Sequence, residues 1–164
     1  MRIKKSTKAH KELFKEWREE GRMEEITCRE IKDGKHFTDF TVFSLSFFMK
    51  NTKEPVGKFD YFNINKRNKS CECGYMISPK HRGKGIGIKM VRYCVNYLFK
   101  NHDFNKLYCQ TGSFNKPSVE ILEDLGFHRD GVLREHHELD GKLWDDYIYS
   151  ILRSEWKNKL LKTG

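Results

Sequence analysis

One segment limits the fold of this chain more than any other: Tyr75-Met76-Ile77-Ser78-Pro79-Lys80-His81-Arg82-Gly83-Lys84-Gly85-Ile86-Gly87. An apolar strand reaches a proline, a basic glycine-rich loop follows, and an amphipathic helix begins at once. In that helix Ile86, Met90, Cys94 and Leu98, with Val91, Val95 and Phe99, share one wide apolar face, while Lys89, Arg92, Asn96 and Lys100 lie opposite. Glycines let backbone N–H groups approach a ligand without obstruction by Cβ. The start of the helix adds unpaired N–H groups and the positive end of its dipole. Arg82 and Lys84 add full charges. Together these features describe a cradle for a pyrophosphate.

The flanking segments set the fold class. Residues 7–21 read as a helix with Leu13, Phe14 and Trp17 as its apolar stripe and Gly21 as its stop. Residues 22–39 are ambiguous apart from a turn at Asp33-Gly34. Thr41 to Met49, Val56 to Ile64 and Cys71 to Ile77 read as three strands joined by polar turns. After the central helix come a short strand, Lys106 to Gln110, and a helix entered through Asn115-Lys116-Pro117-Ser118 and stopped at Gly126. Leu133 to Leu139 and Trp144 to Leu152 flank Asp140-Gly141, a hairpin turn dipeptide. The class is therefore α+β with a mixed, mostly antiparallel central sheet flanked by helices, in one domain over residues 1–164.

Composition adds bounds. Hydrophobic residues make up 37%, including twelve Phe and seven Tyr, enough for a real core. No apolar run reaches the roughly 20 residues of a membrane span. The first residues carry no apolar leader, which sets the expectation of a cytoplasmic protein with no membrane partner. Five cysteines, odd in number and without Cys-x-x-Cys spacing, read as reduced buried thiols, with no metal implied. The formal charge of +9, from 32 basic and 23 acidic residues, suits anionic ligands or acidic partners, but the lysines are spread out. A nucleic-acid partner rests on that charge alone.

The loop itself excludes the two familiar nucleotide sites. A P-loop needs Gly-x-x-x-x-Gly-Lys-Ser/Thr, and Gly87 is followed by Ile88-Lys89. A dinucleotide fold needs Gly-x-Gly-x-x-Gly within alternating βα units, whereas the glycines are 83, 85 and 87 and the preceding strands meander. Arg82-Gly83-Lys84-Gly85-Ile86-Gly87 instead resembles the Arg/Gln-x-x-Gly-x-Gly/Ala motif of the GNAT superfamily of N-acetyltransferases, which bind acetyl-CoA. The resemblance runs from about residue 40 to residue 156. Gly74-Tyr75, Asn115-x-x-Ser118, Leu125-Gly126-Phe127, the hairpin from Gly141 to Asp145, and Glu155-Trp156 look like the ribosomal-protein alanine N-acetyltransferases, to which spermidine acetyltransferases are related.

The resemblance implies direct transfer of an acetyl group from acetyl-CoA to a primary amine, on a protein N-terminus or a small molecule. It puts the pyrophosphate on Arg82, Gly83, Lys84, Gly85, Ile86 and Gly87. It puts the pantetheine arm between the splayed strands 71–77, ending at Ile77, and 106–110, with Asn115 also touching the cofactor. Many family members place a tyrosine four residues before Gly-Phe to meet the leaving thiolate; here that position is Leu122. The subgroup uses the serine of Asn-x-x-Ser, Ser118, although a serine there can equally cap the helix. His137 and Glu72 are the candidate bases, with Asp145 read as structural. A homodimer is common in the subgroup. The absent tyrosine leaves a second reading open, a non-catalytic acyl-CoA-binding or regulatory module.

Overall fold

A computed structural model describes residues 1–22, 27–28, 31–32, 35–36 and 41–162, with only the backbone for 31–32, 35–36 and 158–162. The glycine loop leaves the middle of a seven-stranded sheet. In chain order the elements are β1 (Arg2–Lys5), α1 (Lys8–Glu20), β2 (Ile31–Lys32), β3 (Lys35–His36), β4 (Phe43–Phe48), β5 (Gly57–Asn65), β6 (Ser70–Ile77), α2 (Ile86–Asn101), β7 (Lys106–Gly112), α3 (Lys116–Asp124), β8 (His128–Leu139), β9 (Lys142–Leu152) and α4 (Arg153–Lys162). The main sheet runs β1-β4-β5-β6-β7-β9-β8, and β2 pairs with β3 by itself. The turn expected at Asp33-Gly34 lies outside the described residues. Among those residues no helix is long and apolar enough to cross a membrane.

All neighbours in the main sheet are antiparallel except β6 and β7. The crossover between these two is α2, as a parallel connection requires. The face of α2 predicted from its period is the buried one: Ile86, Met90, Val91, Cys94, Val95, Leu98 and Phe99 enter the main core. They meet Cys71 and Cys73 of β6, Leu107 and Cys109 of β7, and Leu122 and Leu125 at the end of α3. Alternation along β6 sends Glu72, Gly74 and Met76 to the other face. There Met76 packs against Phe14 and Trp17 of α1. Thr7 caps α1, its hydroxyl accepting from the His10 N–H at 3.2 Å.

The end of α3 shows how local chemistry fixes a turn. Gly126 sits at φ +77°, and the Phe127 N–H reaches Leu122 O while the Gly126 N–H reaches Glu123 O, both at 2.9 Å. These two bonds satisfy carbonyls that the helix itself cannot. At the hairpin, Asp140 and Gly141 both take positive φ, as a tight twisted turn demands. Asp145 is structural: its Oδ1 accepts the N–H of Glu135, itself at φ +50° beside a register shift in β8.

Three elements differ from the sequence expectation. β1 carries one apolar residue in four and is a strand only because β4 offers it an open edge. β8 begins at His128 rather than Leu133, with a register shift at Gly131 that lets the longer strand stay paired. α4 has weak periodicity and is held by two side chains instead. Arg153 donates to the carbonyls of Phe99, His102 and Phe104, placing a cation on the C-terminus of α2, and the Trp156 indole N–H donates to Asn96.

Removing that clamp takes a cation and its donors away from three carbonyls where α2 ends. Arg153→Ala should lower stability by about 2–3 kcal/mol in urea unfolding, from the loss of charge-assisted hydrogen bonds. Arg153→Lys should recover only part of the loss, because an ammonium cannot span three carbonyls in one plane.

Candidate functional site

The site begins where β6 and β7 stop pairing. Their register partners run only from Ser70↔Lys106 to Glu72↔Tyr108, yet β6 continues to Ile77 and β7 to Gly112. The two strands thus open into a wedge past Glu72. β6 then leads through Ser78 and one turn of 3-10 helix, Pro79–His81, into the exposed glycine loop. Ile77 lies at the wide end of the wedge, partly buried and packed beside Gly57 and Gly87.

At the loop Gly83 and Gly85 take φ values of +69° and +66°, the left-handed region. A Cβ on either would meet nothing within 4 Å, so the space over both glycines is open. Gly85 is the N-cap of α2 and supplies no side-chain bond to the first turn. The first N–H groups of a sixteen-residue helix therefore have no side-chain cap beside that open space. Arg82 donates through Nε to Ile77 O at 3.3 Å, and Lys84 Nζ donates to Lys80 O at 2.7 Å. Their charges are thus folded back over the loop, and the Arg82 guanidinium also lies against Gly21 at the end of α1. Ile86 and Gly87 face inward, where Gly87 has the Ile121 side chain directly over it.

Ile121 lies one turn beyond Ser118 in α3, so the cradle and the start of α3 are neighbours. Asn115 is the cap of α3, its Oδ1 accepting the Ser118 N–H at 3.4 Å. Capping thus falls to Asn115, and the Ser118 hydroxyl is engaged elsewhere: it shares a 2.8 Å hydrogen bond with the Tyr75 hydroxyl. Burial raises the Tyr75 pKa above its usual value, so this phenol keeps its proton at neutral pH. Leu122, at the position of the family tyrosine, is 1% exposed and belongs to the core.

Tyr75 is the site residue that sequence reasoning left without a role. A signal for it existed: Cys71, Cys73 and Tyr75 share one face of β6, the face covered by α2 and α3. What the period could not show is that the hydroxyl ends on Ser118.

The two candidate bases lie on the opposite face of the sheet. Glu72, 4% exposed, marks the apex of the wedge, and Asn63 from a bulged turn of β5 donates to it at 3.5 Å and to the Tyr108 hydroxyl at 2.7 Å. Its carboxylate is close enough to help hold the Cys109 thiol up at about 12, burial being the larger cause. His137 is buried at 7% exposure, with Nδ1 3.5 Å from Asp146 Oδ1 and its ring edge-on to Phe114. His136 beside it is exposed, as strand alternation requires. The structure therefore joins Ser118 to the cradle and Glu72 to the wedge, and places His137 farther along the sheet, on β8.

The left-handed loop carries a cost that a side chain would reveal. Gly85→Ala should lower stability by about 1–2 kcal/mol from backbone strain alone, since no neighbour obstructs the methyl. The same thermal unfolding series should show Gly131→Ala costing less, as its φ is not positive and the space beside it is also open.

Comparison with known proteins agrees with this geometry. The family model described as "Acetyltransferase (GNAT) domain" matches residues 3–128. An uncharacterized N-acetyltransferase, p20 of Bacillus licheniformis, is 31% identical over 111 residues, which is 68% of this chain and 62% of that protein. The [Ribosomal protein uS5]-alanine N-acetyltransferase of Escherichia coli is 25% identical over 118 residues, 71% of this chain and 60% of that protein. The matched stretch thus spans about three fifths of the length of these curated relatives. Among solved structures, the spermidine N-acetyltransferase of Vibrio cholerae in complex with CoA and spermine superimposes with a TM-score of 0.80 at 20% identity, covering 96% of this chain and 98% of that one. The strand order, the wedge, the cradle and the family match lead to one conclusion: this chain belongs to the GNAT acetyltransferase family.

Proposed function

We propose that the protein is an acetyl-CoA-dependent N-acetyltransferase that moves the acetyl group to a primary amine by direct attack, with both substrates bound. The observation that carries this reading is the continuous path from the uncapped start of α2, along the β6–β7 wedge, to Glu72 at its apex. Acetyl-CoA supplies an activated acyl thioester. The chain's own residues do the rest.

The N–H groups around Gly83 to Gly87 hold the pyrophosphate, and the open space over Gly83 and Gly85 fits a group that lies directly on the backbone. β6 past Glu72 has backbone groups no longer paired with β7, which are suited to hold the pantetheine amides in line. Glu72 accepts a proton from the acceptor ammonium, alone or through one water, leaving a neutral nitrogen to form the C–N bond. As the C–S bond breaks, the Ser118 hydroxyl donates to the thiolate, while Tyr75, kept protonated by burial, donates to Ser118. Leu122 therefore does not argue for a silent binding module, because the Ser118 hydroxyl, backed by the Tyr75 phenol, offers the thiolate a donor in place of a helix tyrosine.

The acceptor is a primary amine, on a protein N-terminus or a small molecule. The formal charge of +9 suits anionic partners, but the group that meets the amine is the buried Glu72 carboxylate, and a near charge outweighs a distant, solvent-screened envelope. Spermidine and peptides with N-terminal alanine are therefore both proper members of the test panel.

Ser118→Ala should lower kcat by roughly 10²–10³-fold, as for loss of one transition-state donor, with acetyl-CoA affinity little changed. Tyr75→Phe should fall in the same direction by less. Glu72→Gln should lower kcat by roughly 10²–10⁴-fold. CoA-thiol release across the amine panel reads all three; wild-type turnover in all three variants would overturn the assignment.

A further inference from the structure

A second cluster on the same sheet face has no part in that reaction. Cys28, from the chain after α1, His137 of β8 and Asp146 of β9 bring one ligand atom each to within 4.8 Å of one another. Asp146 is fully buried and His137 nearly so, while Cys28 is half-buried. We propose that Cys28, His137 and Asp146 form a binding site for one divalent metal ion of the zinc type.

The Asp146 carboxylate makes the first case. Its Oδ2 accepts from the Gln110 amide at 2.7 Å, while its buried Oδ1 has no hydrogen-bond partner among the described residues. A buried carboxylate with an orphaned oxygen is costly unless a cation meets it. His137 Nδ1 lies 3.5 Å from that oxygen, beyond the range of a good N–H···O bond. That distance instead suits the edge between two ligands of one tetrahedral ion, roughly 3.3–3.5 Å for bonds of about 2.0–2.1 Å.

The donor set makes the second case. One thiol, one imidazole and one carboxylate match the three ligand types zinc accepts, and the thiol disfavours magnesium and calcium. Gln110 holds the carboxylate from behind, the kind of outer contact that orients a metal ligand. Phe114 meets the imidazole edge-on with ring centroids 4.8 Å apart, and Trp144 backs Phe114 edge-on at 5.8 Å. With all three ligand atoms within 4.8 Å of one another, a shift of about an ångström brings the set to tetrahedral edges. Three protein ligands leave a fourth position for water. The ion would tie the chain following α1 to the β8–β9 hairpin, and it takes His137 out of the choice of base, consistent with Glu72 in that role.

The test needs no acetyl-CoA, so its failure is separable from failure of the transferase reading. The full chain, tag-free and stripped with a chelator, is titrated with Zn²⁺ by calorimetry and with Co²⁺ by absorbance. One equivalent should bind, with a thiolate-to-cobalt charge-transfer band in the near ultraviolet. Bound Zn²⁺ should protect Cys28 from iodoacetamide, while the other four thiols, all buried, stay unreactive in either state. Cys28→Ser should abolish the band and weaken Zn²⁺ binding by more than the roughly 10–100-fold that loss of an outer contact costs. Asp146→Asn, which keeps the shape of the buried side chain, should weaken it comparably. Absence of stoichiometric binding by the wild type, or unchanged binding and band in Cys28→Ser, would overturn the proposal.

Discussion

The short parallel contact between β6 and β7 is the constraint on which the rest of the molecule depends. Three register pairs, from Ser70↔Lys106 to Glu72↔Tyr108, hold two strands together at one end only. A parallel pair needs a crossover, and α2 supplies it, its apolar face sealing the core beneath both strands. Because the pairing stops, the strands diverge, and the start of α2 comes to lie beside the open end. The same alternation that buries Cys71 and Cys73 sends Tyr75 to α3 and Glu72 to the opposite face. Two chemically different groups therefore reach the wedge from its two sides without any loop to place them.

In the proposed mechanism, that arrangement is how the chain does without the helix tyrosine. Leu122 is needed in the core, where it closes against Leu125 and the Phe127 N–H bonds back to its carbonyl. The phenol comes instead from β6, and Ser118 links it to the first turn of α3 at 2.8 Å. Asn115 has taken over the capping of that turn, which releases the serine hydroxyl for the strand. Strand and helix residues distant in sequence thus make one donor pair, and burial keeps the phenol protonated.

Much of this was legible because it is periodic or steric. The buried face of α2 follows from its 3.6-residue repeat, the left-handed loop from Gly83 and Gly85, and the close of α3 from Gly126-Phe127. What could not be read depends on partners far along the chain. β1 has too few apolar residues to announce a strand and exists because β4 offers an edge. α4 has no clear stripe and is fixed by Arg153 on the carbonyls ending α2. The Tyr75–Ser118 bond and the meeting of Cys28 with His137 and Asp146 are of the same kind. Cysteine spacing speaks only to neighbours in the sequence and carries no information on side chains gathered from separate elements.

The most direct test of the central claim is calorimetric titration of the protein with acetyl-CoA beside ATP and a nicotinamide dinucleotide, repeated with Gly85→Val. The account predicts saturable one-to-one binding of acetyl-CoA alone, lost when a branched side chain fills the cradle of a variant that remains folded. Equal binding of all three ligands, or acetyl-CoA binding unchanged by Gly85→Val, would contradict it.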